Sequence, residues 1–127
     1  MNQKLQIITS DAPAPTGPYS QGIAIGNLLF VAGQRGQDPI TGELCKGIEI
    51  ETRRAILNIE AILKAHGCGL KDIVKTTVYL SDTDDFARMN EVYRSMIPVP
   101  YPVRTTVGAR LRCDIAVEID VIAFIPG

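Results

Sequence analysis

Two charged residues occur in segments whose pattern predicts β-strands, and either could take part in chemistry. Arg104 follows Pro102 and Val103 and begins one predicted strand. Its guanidinium is a rigid fork that can bind a carboxylate through two hydrogen bonds. Glu118 lies inside a second, mostly apolar strand, where a buried carboxylate without a partner would be costly. Spacing alone leaves an alternative for each residue: an exposed arginine at a strand end, and a carboxylate on the solvated side of an alternating strand.

Two uncharged polar residues are further candidates for binding. Tyr19 belongs to the loop Gly17–Gln21, which glycine and proline constrain, and such loops often carry binding groups. Asn90 interrupts the apolar stripe of a predicted helix, where its amide needs hydrogen-bond partners. A tyrosine packed over a strand and an asparagine in a structural helix–sheet contact are the alternatives. The segment from Gly33 to Gly36 lacks the pattern of a phosphate-binding loop and does not begin a helix.

The scarcity of histidine and the spacing of cysteine exclude several kinds of site. With one histidine, His66, a single chain cannot build a histidine-rich zinc site or a two-histidine HExxH site. His66 precedes Gly67 at the end of a predicted helix, which favours a capping or surface role over catalysis. Cys45, Cys68 and Cys113 form neither a CxxC pair nor a disulfide framework. We therefore expect no metal ion and a reducing compartment.

Length and composition indicate one globular domain over residues 1–127. Hydrophobic residues make up 46% of the 127 residues and charged residues 21%, which is an ordinary globular balance. The net charge of −1 gives no global basic field for nucleic acid or anionic lipid. The sequence lacks both a signal-peptide pattern and a membrane-spanning run. We expect a cytoplasmic protein that binds neither nucleic acid nor a membrane.

Periodicity predicts two helices and five or six strands. One helix runs from about Glu49 to His66, with apolar residues at three- and four-residue spacing and Gly67 as its stop. The other follows Asp82, which with Asp85 could form a capping box; its expected apolar stripe is Phe86, Met89, Tyr93, Met96 and Ile97. Strands are predicted on both sides of a Gly26-Asn27 hairpin turn, as a short extended piece after the turn 38–43, and over 73–80, 104–109 and 116–124.

These elements predict an α+β fold with one mixed sheet and both helices packed on one face. The other face of the sheet then has no partner within the chain. Where that face is apolar, burial against another subunit is the expected solution. Oligomerisation is therefore expected on physical grounds.

Seven ordered segments together resemble the RidA (YjgF-type) family along nearly the whole chain. Each is weakly specific alone, and their order makes the resemblance strong. The segments are Gly17–Gln21, Val31–Gln34, Asp38–Glu43, Asp72–Leu80, Asp85–Tyr93 with its Asp-Phe start and Asn90, Pro102–Arg104, and Val117–Ala123.

The resemblance implies a chorismate-mutase-like fold assembled as a homotrimer with sites between subunits. It also implies hydrolysis of reactive enamine and imine acids, such as 2-aminoacrylate and related 2-imino acids, to 2-oxo acids and ammonia. These species arise from pyridoxal-phosphate enzymes and damage them; no cofactor or metal is implied. By position, Arg104 matches the carboxylate-binding arginine and Glu118 the acidic residue near the attacking water. Tyr19, from the adjacent subunit, and Asn90 match residues that line the site.

Two positions depart from the pattern of many deaminase members. Ala32 replaces a serine before the Gly-Gln pair, and Thr106 replaces a cysteine two residues after the arginine. A threonine hydroxyl still forms hydrogen bonds, whereas alanine cannot. Three rival functions stay open: a non-catalytic ligand-binding or chaperone-like trimer, a specialised deaminase of a catabolic intermediate, and an RNA-cleaving protein. The acidic isoelectric point and the lack of a two-histidine site argue against the last.

Overall fold

A computed structural model of the chain describes residues 3–127. The fold is α+β, with a six-stranded mixed sheet and two α-helices, as predicted. The strands are β1 (Leu5–Ile7), β2 (Gly22–Ile25), β3 (Leu28–Gln34), β4 (Ile73–Leu80), β5 (Val103–Gly108) and β6 (Val117–Phe124); the helices are α1 (Ile48–Lys64) and α2 (Phe86–Met96).

The strands lie in the order β1-β2-β3-β6-β4-β5. Every neighbouring pair is antiparallel except β4 and β5, which are parallel. A parallel pair needs a long crossover connection, and α2 is the helix of that crossover. The crossover places α2 beside β5, the strand that begins with Val103 and Arg104.

The predicted hairpin is confirmed. Ile25 pairs with Leu28 across the two-residue turn, and Gly26 has a φ of +59°. A left-handed backbone at this position favours glycine, because other residues would carry a Cβ clash.

The hydrophobic core lies between the sheet and the helices. In β6, Val117, Ile119, Val121 and Ala123 are buried, while the intervening residues are more exposed. This is the alternation that the sequence predicted. The core cluster also contains the buried apolar residues of α1: Ile48, Ala55, Ile56, Ile59, Ile62 and Leu63.

Helix α1 agrees closely with its predicted range and ends as expected. The N–H groups of Gly67 and Cys68 donate to the carbonyl oxygens of Lys64 and Leu63, and Gly67 has a φ of +73°. His66 lies just beyond the last residue of the helix. Three polar residues of α1, Glu51, Thr52 and Asn58, are buried, and the periodicity gave no sign of this.

Two details predicted for α2 are wrong. Asp82 caps a single 3-10 turn, accepting a hydrogen bond from the Asp84 N–H at 2.9 Å, and α2 begins only at Phe86. Asp85 forms an ion pair with Arg88 at 2.7 Å instead of completing a capping box, because its short side chain suits a partner one turn ahead. Phe86 is 43% exposed and does not belong to the buried stripe.

The short extended piece expected after the turn 38–43 is an isolated bridge between Gln37 and Leu44 rather than a strand. The sixth strand is instead β1, which no sequence pattern predicted. With three residues on the edge of the sheet, β1 is too short to show a period.

The face of the sheet opposite the helices carries apolar side chains at its surface. Val103 is 67% exposed, and Phe30, Val107 and Phe124 are exposed by 38% to 44%. We call this surface the open face. Within residues 3–127, no helix has the length and apolar character needed to cross a membrane.

Candidate active site

Arg104 lies at a cavity of about 340 Å³ between the start of β5 and α2. We call it the Arg104 cavity. Its lining residues are Asn90, Tyr93, Arg94, Tyr101, Pro102 and Arg104. Arg94 forms an ion pair with Glu91 at 2.7 Å, so Arg104 is the lining cation whose charge remains available.

The guanidinium of Arg104 is held by side chains of α2. Its Nη1 donates to Oδ1 of Asn90 at 2.8 Å, and its Cζ lies 4.7 Å from the centre of the Tyr93 ring and 5.6 Å from that of Phe86. Cation–π contacts of this kind fix a guanidinium plane. With one edge tied to Asn90, the remaining N–H groups can receive a carboxylate.

Tyr93 links the cavity to the core. Its hydroxyl shares a hydrogen bond of 2.8 Å with Thr76 Oγ1. Burial raises the pKa of Tyr93 above its ordinary 10.0, although the Thr76 hydrogen bond and the charge of Arg104 act in the opposite direction. The phenol is therefore neutral at physiological pH and serves as an aromatic wall.

Thr106 follows Arg104 by two residues on β5, so both side chains lie on the helix-covered face. It pairs with Val78 in the parallel register and is partly buried. Thr106 thus lies on the same face of β5 as the arginine, two residues further along the strand, and is not among the residues that line the Arg104 cavity.

Glu118 lines a second concavity of about 490 Å³, which we call the Glu118 cleft. Tyr19, Ala32 and Gly33 also line it. The residue at position 33 must be small, because a Cβ there would overlap the carboxylate of Glu118. The Gly33 backbone therefore supports this carboxylate directly.

Tyr19 forms one wall of the Glu118 cleft. Its side chain is 51% exposed, and its hydroxyl accepts a hydrogen bond from the Thr16 N–H at 3.3 Å. Buried Gln21 secures the preceding segment by donating to the carbonyl oxygens of Thr9 and Pro13. The loop therefore presents an aromatic ring on a fixed backbone.

The structure divides the six candidate residues into two groups. Arg104, Asn90 and Thr106 lie on the helix-covered side, whereas Glu118, Tyr19 and Ala32 lie at the Glu118 cleft. Register explains the division: Arg104 pairs with buried Thr76, and Glu118 pairs with Tyr79 three residues further along β4. Because side chains alternate between faces, Arg104 and Glu118 point to opposite faces of the sheet.

Several residues near the two concavities were not singled out as site residues in the sequence. Phe86 and Tyr93 hold Arg104, but helical spacing had assigned both to the core. Gly33 was noted only within a motif. Arg35, Arg110 and Arg112 also line the Glu118 cleft. Local strand and loop patterns cannot predict that these three residues lie close together in the fold. Among residues 3–127, no three His, Cys, Asp or Glu side chains are grouped to hold a metal ion.

Comparison with known proteins shows the family. A sequence profile of the endoribonuclease L-PSP family matches residues 9–125. The fold matches the crystal structure of RidA from the Antarctic bacterium Psychrobacter with a TM-score of 0.93 and 41% sequence identity. The match covers 95% of this chain and 99% of the other. The chain therefore belongs to the RidA (YjgF-type) family, as the ordered motifs indicated.

Two curated relatives illustrate its position within the family. A RutC family protein of Pyrococcus horikoshii is 51% identical over 120 residues, covering 93% of this chain and 95% of the relative. The 2-iminobutanoate/2-iminopropanoate deaminase of Escherichia coli is 40% identical over 121 residues, with 92% and 94% coverage. The chain is thus similar, over more than nine tenths of the given sequence, both to a protein that carries only a family name and to a named deaminase.

Proposed function

We propose that this chain hydrolyses 2-aminoacrylate and related 2-imino acids to 2-oxo acids and ammonia, as the named Escherichia coli relative does for 2-iminobutanoate and 2-iminopropanoate. The observation that carries the proposal is the guanidinium of Arg104. Asn90 and two aromatic rings orient it at a cavity. A planar fork held in this way is suited to a small carboxylate.

We further propose that the working site lies between copies of the chain in a homotrimer. Arg104 and Glu118 face opposite sides of one sheet, so the sheet itself lies between them and a small imino acid cannot bind both groups of one chain. If the Arg104 cavity of one copy faced the Glu118 cleft of the next copy, one substrate could contact both Arg104 and Glu118. The apolar open face supports such an assembly, because a second copy would remove it from water.

The proposed reaction adds one water and releases one ammonia, after an enamine such as 2-aminoacrylate has tautomerised to the imine. The substrate carboxylate docks on Arg104, and Asn90 holds the guanidinium in place. Glu118 of the neighbouring copy accepts a hydrogen bond from water as the water oxygen attacks the C=N carbon. The water proton is transferred to the imine nitrogen. The carbinolamine then collapses: its hydroxyl proton is transferred to the amine nitrogen, a C=O bond forms, and the C–N bond breaks to release ammonia.

Positioning and charge complementarity could supply most of the acceleration, because the imine is intrinsically reactive. Tyr19 would cover the substrate from the Glu118 side, and Ala32 would provide an apolar wall. Thr106 would offer a hydroxyl near Arg104. These roles need no bound cofactor. We also propose a cytoplasmic location, near the pyridoxal-phosphate enzymes that generate such imines.

The direct test couples the protein to a threonine dehydratase that releases 2-iminobutanoate. We expect the wild-type chain to accelerate formation of the 2-oxo acid and ammonia. Arg104→Lys should lower kcat/KM about 100-fold, because a point charge replaces two charge-assisted hydrogen bonds worth roughly 3 kcal/mol together. Arg53→Lys, at an exposed position of α1, serves as the matched control and should behave as wild type.

Each other outcome has a definite meaning. Wild-type activity in Arg104→Lys would overturn the role of Arg104. Binding of a 2-oxo acid without any ammonia release would favour the non-catalytic ligand-binding trimer. Release of ammonia only from one unusual imine would favour a specialised catabolic deaminase.

A further inference from the structure

Three arginines converge on the Glu118 cleft. Arg35 follows the end of β3, and Arg110 and Arg112 lie on the connection from β5 to β6. All three line the cleft, and Glu118 is the one carboxylate among its lining residues. A local excess of positive charge therefore occurs in a chain whose net charge is −1.

The charges of these arginines are not neutralised by neighbouring carboxylates. Within the described part of the chain, ion pairs involve Lys46, Lys64, Arg88 and Arg94, and none includes Arg35, Arg110 or Arg112. Asp114, which is close in sequence to Arg112, has its carboxylate 3.9 Å from Lys46 Nζ. Like charges around one concavity repel each other, and a bound anion relieves this repulsion.

The backbone that carries the arginines is anchored on both sides. Buried Asn58 donates from Nδ2 to the carbonyl oxygen of Arg35 at 3.1 Å. The connection from β5 is held at its two ends: the Ala109 N–H donates to Leu80 at 2.9 Å, and the Ala116 N–H donates to buried Glu51 at 2.7 Å. The arginines are thus presented from fixed positions, which lowers the cost of binding an anion.

The connection also has an unusual backbone. Cys113 and Asp114 have φ values of +63° and +53°, a backbone region that residues other than glycine rarely adopt. This bend turns the chain between Arg112 and β6. It keeps Arg110 and Arg112 at the rim of the same cleft as Glu118.

We propose that the Glu118 cleft accepts a second anionic group of the substrate, so that the preferred substrates are 2-imino acids with a side-chain carboxylate. This inference rests on the proposed function. The 1-carboxylate would bind Arg104 of one copy, and the side-chain carboxylate would bind Arg35, Arg110 and Arg112 beside Glu118 of the next. A neutral side chain would leave these cations without a counter-charge.

The test compares two imines made in place by amino-acid oxidases in the presence of catalase, one from glutamate and one from methionine. Loss of imine is followed by semicarbazide trapping. We expect the wild-type kcat/KM for the glutamate imine to exceed that for the methionine imine by about tenfold, the scale of one charge-assisted contact. Arg35→Gln/Arg112→Gln should remove most of this ratio, whereas the control Arg53→Gln should retain it.

A second measurement needs no variant. Glutarate should inhibit hydrolysis of the glutamate imine by the wild-type protein with an inhibition constant about tenfold lower than that of butyrate. Added salt should reduce this difference, because it screens the charges. Equal inhibition, or an unchanged substrate ratio in a folded double variant, would overturn the inference. Binding of single-stranded RNA in place of glutarate would overturn it as well. If the wild-type protein hydrolysed neither imine, the proposed function itself would be refuted.

Discussion

At the residue scale, Gly33 and Glu118 form a contact that leaves no space for a side chain. The Glu118 carboxylate lies where a Cβ of residue 33 would be. The requirement for glycine at this position is therefore one of close approach. Since the end of a glutamate side chain can move, an alanine at position 33 would displace the carboxylate without disrupting the core.

We predict that Gly33→Ala lowers kcat on 2-iminobutanoate by about 100-fold, because a catalytic group shifted by about 1 Å loses its alignment. The melting temperature should change little, since Glu118 is only partly buried. Gly69→Ala is the matched control: Gly69 is in extended backbone with open space around it. Full activity of a folded Gly33→Ala protein would show that the position of Glu118 does not limit the reaction.

Ala32 and Thr106 lie in different halves of the proposed site. Ala32 lines the Glu118 cleft, and Thr106 lies beside Arg104 on β5. In the proposed site between copies, the two departures from the common deaminase pattern would therefore lie on opposite sides of the substrate. Ala32 removes a hydroxyl on the Glu118 side, while Thr106 retains one on the Arg104 side.

At the element scale, α2 both packs on the sheet and holds the arginine. Tyr93 connects the two roles, because its hydroxyl bonds to Thr76 of β4 and its ring lies against Arg104. Burial is the main cause that raises the pKa of Tyr93, and it also raises the pKa of Tyr79 on the open face. Both phenols thus keep their protons longer in the folded chain than in the unfolded one.

The sign of the resulting pH dependence follows from linkage. A pKa raised in the folded state means that the unfolded chain releases the proton first as the pH rises through about 10. This contribution to stability is complete below pH 10 and declines above it. We predict that Tyr93→Phe flattens the decline, with Tyr79 leaving a residual slope. Urea midpoints measured at about pH 9, 10 and 11 would test this; an identical slope in wild type and variant would contradict it.

Local patterns predicted much of the architecture because its elements carry their own periods. The alternation in β6, the helical spacing of α1 and the Gly26 turn are local properties, and the structure agrees with each. Strand β1 escaped prediction because three residues cannot display a period. The cap of α2 was mispredicted because Asp82 closes a separate 3-10 turn first.

Sequence motifs could nominate Arg104 and Glu118, but their relation could not be read from local pattern. It depends on register between strands that are distant in sequence, with Arg104 opposite Thr76 and Glu118 opposite Tyr79. The same reason applies to Arg35 and Arg112, which approach one cleft only after β3 and β6 have paired. Long-range packing sets both arrangements.

At the scale of the whole molecule, the sheet separates two groups of candidate site residues. One side carries the oriented guanidinium, and the other carries the carboxylate with its aromatic wall. The open face adds exposed apolar side chains, including Phe30 and Phe124. A cyclic assembly that joins unlike surfaces of successive copies would cover apolar area and complete each site at once.

Complementation between inactive variants tests this central proposal most directly. Arg104→Ala and Glu118→Ala, each inactive alone, are mixed in equal amounts, unfolded together and refolded. In a random cyclic trimer, about one quarter of the interfaces would join an intact Arg104 to an intact Glu118. We therefore predict recovery of about one quarter of the wild-type activity on 2-iminobutanoate. The control mixture of Arg104→Ala with Arg104→Lys should not exceed the low activity of Arg104→Lys alone. If the mixture of Arg104→Ala with Glu118→Ala were as inactive as its separate components, a site shared between copies would be contradicted.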